Sequence, residues 1–142
     1  MYNTINIHFI NFPNKYIQIL KQIAIIVLQT EQIKLCQLNC IIISDSDMIQ
    51  LNKNYLNTNN ITDVISFLLI PKLFIGEIYI SKIYSQKQAN CYNHTWKEEL
   101  AYLMIHGVLH LCGYKDYHDV DKANMFMQQD KLFQFIKNNK IL

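Results

Sequence analysis

The chain has 142 residues, 51% of them apolar and 17% charged. That balance fits one compact domain with a real hydrophobic core and excludes a disordered chain. The formal net charge is +2, which permits contact with nucleic acid without demanding it. No apolar run reaches the length of a transmembrane helix, and no basic stretch followed by an apolar block marks a signal peptide, so a cytoplasmic protein is expected.

From Asn3 to Ile10 apolar residues alternate with polar ones (Ile5, Ile7 and Phe9 against Thr4, Asn6 and His8), the period of a strand with His8 on its solvent side. Pro13 suits a first helical turn, and Tyr16, Ile19, Leu20, Ile23, Ile26 and Val27 recur at helical spacing from Asn14 to about Thr30. Leu38 to Ile43 reads as a second strand. Ser44 and Asp45 are capping residue types, and a helix is expected from Asp45 to Tyr55. A polar loop at 57–60 precedes a largely buried strand from Thr62 to Ile70. Pro71 and Lys72 mark a turn into a strand over Leu73–Ser81, followed by a helix from Ser81 to about Asn90.

Thr95 and Glu98 have the spacing of a capping box, opening a strongly apolar helix from Trp96 to Leu111. A closing helix runs from Asp119 to about Lys137, with Met125, Leu132, Phe133 and Ile136 on its inner face. No linker, internal repeat or low-complexity segment interrupts the chain. The pattern predicts one α+β domain spanning 1–142, with a mixed sheet of about four strands covered by helices.

Of the four cysteines, Cys36, Cys40, Cys91 and Cys112, none forms a C-x-x-C pair, and all four read as buried thiols. Chemistry concentrates in the stretch His106-Gly107-Val108-Leu109-His110-Leu111-Cys112-Gly113-Tyr114-Lys115-Asp116. Histidines at i and i+4 share one face of a helix, the spacing a tetrahedral metal takes from two imidazoles on one rigid element. Gly113 can end that helix in a left-handed conformation and turn the chain back, bringing Asp116 or His118 up as a third ligand. A buried helix carrying His106 and His110 must also supply them with polar partners. Zinc peptidases place a general-base glutamate directly after the first histidine; Gly107 stands there, which argues against that chemistry.

The same stretch resembles the YbeY family of bacterial endoribonucleases and rRNA maturation factors, whose signature is H-G-x-x-H-L-x-G-Y-D-H. The match comprises His106, Gly107, His110, Leu111, Gly113 and Tyr114, with Asp116 in register with the family's third histidine. Upstream, Leu51-Asn52-Lys53-Asn54-Tyr55 and Thr62-Asp63-Val64-Ile65-Ser66-Phe67 resemble the family's L-N-x-x-Y-R and P-T-D-V-L-S-F-P. Gly76-Glu77-Ile78-Tyr79-Ile80-Ser81 resembles its G-D-I-x-I-S strand. The family's arginine after L-N-x-x-Y falls at Leu56, which cannot contact phosphate.

The resemblance implies a single-strand-specific, metal-dependent endoribonuclease acting in small-subunit rRNA processing, through a metal-polarised water or phosphate. It implies one Zn2+ per chain held by His106, His110 and Asp116, with His118 reached by a two-residue slip, and His106 and His110 as the catalytic residues. Expected partners are single-stranded RNA, rRNA and the small ribosomal subunit with its associated proteins. Lys53, Lys82 and Lys115 are candidates for phosphate contact and Ser66 and Thr62 for the cleft wall, while His94 reads as a loop residue. A non-catalytic, metal-stabilised ribosome-assembly factor is the competing reading.

Overall fold

A computed structural model describes residues 4–56 and 63–142. Four strands form one sheet, β1 (Ile5–Ile10), β2 (Cys36–Ile43), β3 (Val64–Ile70) and β4 (Ile75–Ser81), in the order β1-β2-β4-β3. β1 pairs parallel with β2 and β2 parallel with β4, whereas β3 runs antiparallel along β4. The two parallel pairings require crossovers, and helices supply them. α1 (Asn14–Thr30) links β1 to β2, and α2 (Asp45–Leu51) begins the connection out of β2. The short step from β3 to β4 is a single 3-10 turn at Pro71–Leu73, closed by Phe74 at φ 49°.

Alternation decides which face of the sheet is covered. Cys36, Leu38, Cys40 and Ile42 of β2 and Ile78 and Ile80 of β4 point to one side, where they are buried with Leu20, Ile23 and Val27 of α1. The same core takes in α4 (Trp96–Leu111), which packs against α1, β3, β4, α3 (Lys82–Cys91) and α5 (Asp119–Asn138). α4 is thus the central helix, with ten of its sixteen residues buried. On the other side of the sheet the Phe67 ring lies between Tyr79, which it meets edge-on, and Tyr55, which lies in the turn after α2.

The four-stranded mixed sheet and the helical layout agree with the expected α+β architecture. Two local readings are corrected. The helix expected from Asp45 to Tyr55 is α-helical only to Leu51, and Asn52–Leu56 continues as a π-helical turn. The Asn52 side-chain amide donates to the Met48 carbonyl at 3.2 Å, competing with the backbone ladder at the point where it widens. Cys91 is exposed at the end of α3, whereas Cys36 and Cys40 are buried and Cys112 is half-buried. Ser66, a candidate for the cleft wall, is half-buried and ties β3 to α4, its hydroxyl donating to the Gly107 carbonyl at 3.0 Å. The expected polar loop at 57–60 and Thr62 lie outside the described residues. Among the described residues no helix is long and apolar enough to cross a membrane.

Candidate metal centre

The centre begins with the fit of α4 onto the sheet. A Cβ added at Gly107 would lie 3.0 Å from Cγ2 of Ile78 and 3.1 Å from the Ser66 hydroxyl. Gly107 therefore faces the sheet, and its missing side chain lets the helix axis approach. The helix is fixed at its start by a full capping box: the Thr95 hydroxyl accepts from the Glu98 backbone at 3.1 Å, and the Glu98 carboxylate accepts from the Thr95 backbone at 3.0 Å.

Its end shapes the site. The Gly113 N–H donates to His110 O at 3.0 Å and the Tyr114 N–H to Leu109 O at 3.1 Å. Gly113 sits at φ 104°. These paired bonds, with a glycine at positive φ, form a Schellman closure that reverses the chain against the last helical turn. The reversal delivers the Tyr114 carbonyl to Nδ1 of His110 at 2.9 Å and Asp116 Oδ2 to within 3.4 Å of His110 Nε2.

His106 completes the set. Its Nε2 lies 3.0 Å from His110 Nε2, and its Nδ1 lies 2.9 Å from Oε1 of Gln129 on α5. A carbonyl oxygen can only accept, so each imidazole spends its Nδ1–H on its carbonyl partner. A neutral ring then has a bare lone pair at Nε2. Two such lone pairs face each other beside a carboxylate, three acceptors with no donor among them. That arrangement repels itself unless a proton or a metal cation sits between the groups. One ligand atom from each of His106, His110 and Asp116 lies within 4.8 Å of the others. Tetrahedral zinc, with bonds of about 2.0–2.1 Å, separates neighbouring ligands by about 3.3 Å, so the donor set and its spacing fit such an ion.

His118 does not join this group. It is the exposed N-cap residue of α5, while Asp116 enters as ungapped register predicts. His8 is exposed on β1, and His94 packs edge-on against Phe133 with ring centres 6.4 Å apart. Lys53, Lys82 and Lys115 are all exposed. Lys115 lies in the turn between Gly113 and Asp116, whereas Lys82 lines another groove with Phe12, Ile83 and Trp96.

Three polar residues around the centre were not singled out by sequence. Gln129 is 2% exposed on the inner face of α5. Glu99 is 5% exposed on α4, and burial, helped by the nearby Asp63 carboxylate, pushes it up to about 7. Asp63, just before β3, is also raised by burial, against the opposing pull of His106 and the Val64 backbone N–H. His106 itself is lowered, first by burial, with Gln129, Asp63 and Asp116 pulling the other way. Positions 99, 106 and 110 fall within about 20° of one line on an ideal helix. That signal could have placed Glu99 beside the histidines, and the heptad-like spacing of Met125, Gln129, Leu132 and Ile136 could have flagged Gln129.

Residues 3–137 match the family model described as endoribonuclease YbeY. A protein of Endomicrobium trichonymphae named endoribonuclease YbeY is 52% identical over 128 residues, covering 90% of this chain and 91% of the relative. One of Flavobacterium psychrophilum with the same name is 40% identical, covering 72% of this chain and 76% of its own. A solution structure of a Thermotoga maritima protein superposes with a TM-score of 0.67 at 28% identity, covering 94% of this chain and 90% of that one. By the family match and by these relatives, the chain belongs to the YbeY endoribonuclease family.

Proposed function

We propose that the protein is a metal-dependent endoribonuclease that cleaves single-stranded RNA in the processing of small-subunit rRNA in the cytoplasm. The observation that carries the reading is the convergence of two bare Nε2 lone pairs and the Asp116 carboxylate in a chain whose relatives are named endoribonuclease YbeY. His106, His110 and Asp116 would hold one Zn2+, and three protein ligands leave a position for water or a phosphoryl oxygen. When bound, the ion supplies Lewis-acid polarisation and a nucleophile at neutral pH. The protein contributes rigidity: both imidazoles are locked through Nδ1, and the Schellman turn fixes where Asp116 arrives. Lys115, exposed within that turn, is the proposed contact to a backbone phosphate. The rRNA and the small ribosomal subunit with its associated proteins are the proposed partners.

The test is cleavage of a labelled single-stranded RNA and of its duplex by zinc-loaded protein, by chelated protein and by His110→Ala. Cutting of the single strand alone, abolished by chelation and by the substitution, supports the proposal. Cleavage that survives chelation overturns the metal dependence. Leu56, where the family places an arginine, favours a second reading in which the metal stabilises a non-catalytic ribosome-assembly factor. Tight RNA binding by zinc-loaded protein without any cleavage would select it.

A further inference from the structure

We infer that Gln129 is the positioning residue of this centre: it holds His106 as the Nδ1–H tautomer while adding no charge, which keeps the centre cationic and selective for an anionic phosphodiester. The inference rests on the metal reading above and deepens it.

Gln129 occupies a place where an amide is costly. It is 2% exposed on the apolar face of α5, among Met125, Leu132, Phe133 and Ile136. Its Nε2 has no hydrogen-bond partner among the described residues. A buried donor left unpaired is destabilising, and a methionine of similar volume would fill the same space without that cost. Packing therefore gives no reason for glutamine. What glutamine supplies is one atom, Oε1, at 2.9 Å from Nδ1 of His106. An acceptor there draws the ring proton to Nδ1, frees Nε2 as a ligand and fixes the ring plane.

A glutamate would accept the same bond and leave no orphan amide. The difference is charge. Both imidazoles are anchored by neutral carbonyls, the Gln129 side chain and the Tyr114 main chain. Counting only the groups that would touch the ion, two neutral histidines and one carboxylate around a divalent cation sum to one positive charge, and Asp63 beyond them is the same in every variant compared. A carboxylate at position 129 would cancel it. A centre that retains that charge attracts a phosphodiester anion, and a neutralised one attracts it less.

The experiment compares wild type, Gln129→Met and Gln129→Glu. Zn2+ affinity is read by competition with a chromophoric chelator, binding of inorganic phosphate is measured on the zinc-loaded proteins, and thermal stability is measured on the chelated ones. Gln129→Met exchanges one unpaired buried donor, Gln129 Nε2, for another, His106 Nδ1, and is expected to match wild-type stability without metal, yet to bind zinc about 10–100-fold more weakly. A residue with a merely structural role would not separate zinc affinity from stability in that way. Gln129→Glu is expected to keep or tighten zinc and to weaken phosphate about tenfold or more. Gln129→Met that binds zinc as wild type does overturns the positioning role. Gln129→Glu that binds phosphate as wild type does overturns the charge argument. Wild type that binds no zinc overturns the underlying metal reading, and the inference falls with it.

Discussion

Zinc should stabilise this fold through three side chains, and the size of the effect can be worked out. Unfolding entropy of about 2.1 cal/mol/K per residue gives about 0.3 kcal/mol/K for a chain of 142 residues. Free zinc at about 100 times its Kd stabilises the native state by about 2.7 kcal/mol, so the thermal midpoint should rise by about 9 °C. His110→Ala removes the ligand nearest the other two and should abolish that rise. Without metal the same substitution costs only the Nδ1 bond to the Tyr114 carbonyl, about 1 kcal/mol or about 3 °C, and it relieves the opposition of two lone pairs at 3.0 Å. The gap between wild type and variant should therefore widen from about 3 °C in chelator to about 12 °C in zinc. Asp116→Ala should shrink the rise and His118→Ala should leave it intact. Scanning calorimetry with and without zinc reads all four proteins. An equal rise in wild type and His110→Ala would mean that zinc binds elsewhere. Loss of the rise in His118→Ala would refute the ligand set drawn from the turn.

Three other outcomes follow from the same geometry. Glu99 is raised from 4.5 to about 7, so between those values the native state holds a proton that the unfolded chain has released, and stability falls as pH rises through the window; Glu99→Gln should flatten that slope and stabilise the protein at pH 8, by urea titration across pH. Thr95→Ala removes the hydroxyl that accepts from the Glu98 N–H and leaves the Thr95 N–H bond to the Glu98 carboxylate, and it should cost about 1 kcal/mol of unfolding free energy. Gly113→Ala meets no steric neighbour within 4 Å but must adopt φ 104°, so it should lose about 1–3 kcal/mol from backbone strain alone and weaken zinc binding as Asp116 shifts, by chelator competition.

What the sequence made readable was whatever depends on local order. The 3.6-residue period over Asn14–Thr30 and Trp96–Leu111 returned both helices with the bounds the structure has, because periodicity and caps act within a few residues. Gly113 and Asp116 were readable for the same reason: they sit three and six residues beyond His110, on a turn whose geometry glycine dictates. The π-helical turn at Asn52–Leu56 was not readable, since its apolar spacing still looks helical and the difference lies in how Asn52 competes for one carbonyl. Gln129, Glu99 and Asp63 were missed because helical phase shows only which face a residue shares, whereas the approach of Gln129 and Asp63 to His106 and of Asp63 to Glu99 exists only once α5, α4 and the start of β3 have packed.

That same packing explains why the third member of the centre is Asp116 rather than a histidine two residues on. The Schellman closure consumes Gly113 and Tyr114, and it does so twice over, since the Tyr114 N–H is tied to Leu109 O and its carbonyl to His110 Nδ1. From that doubly pinned residue the chain has two steps to reach His110 Nε2, and Asp116 arrives within 3.4 Å. His118 is already committed as the N-cap of α5, with extended φ and ψ of −107° and 152°. Swinging it into the centre would pull α5 back by two residues, and Gln129 with it. The helix that carries Gln129 to His106 therefore fixes which residue of the turn can join the two imidazoles, so the ring anchor and the third member of the proposed centre are set by one placement of α5.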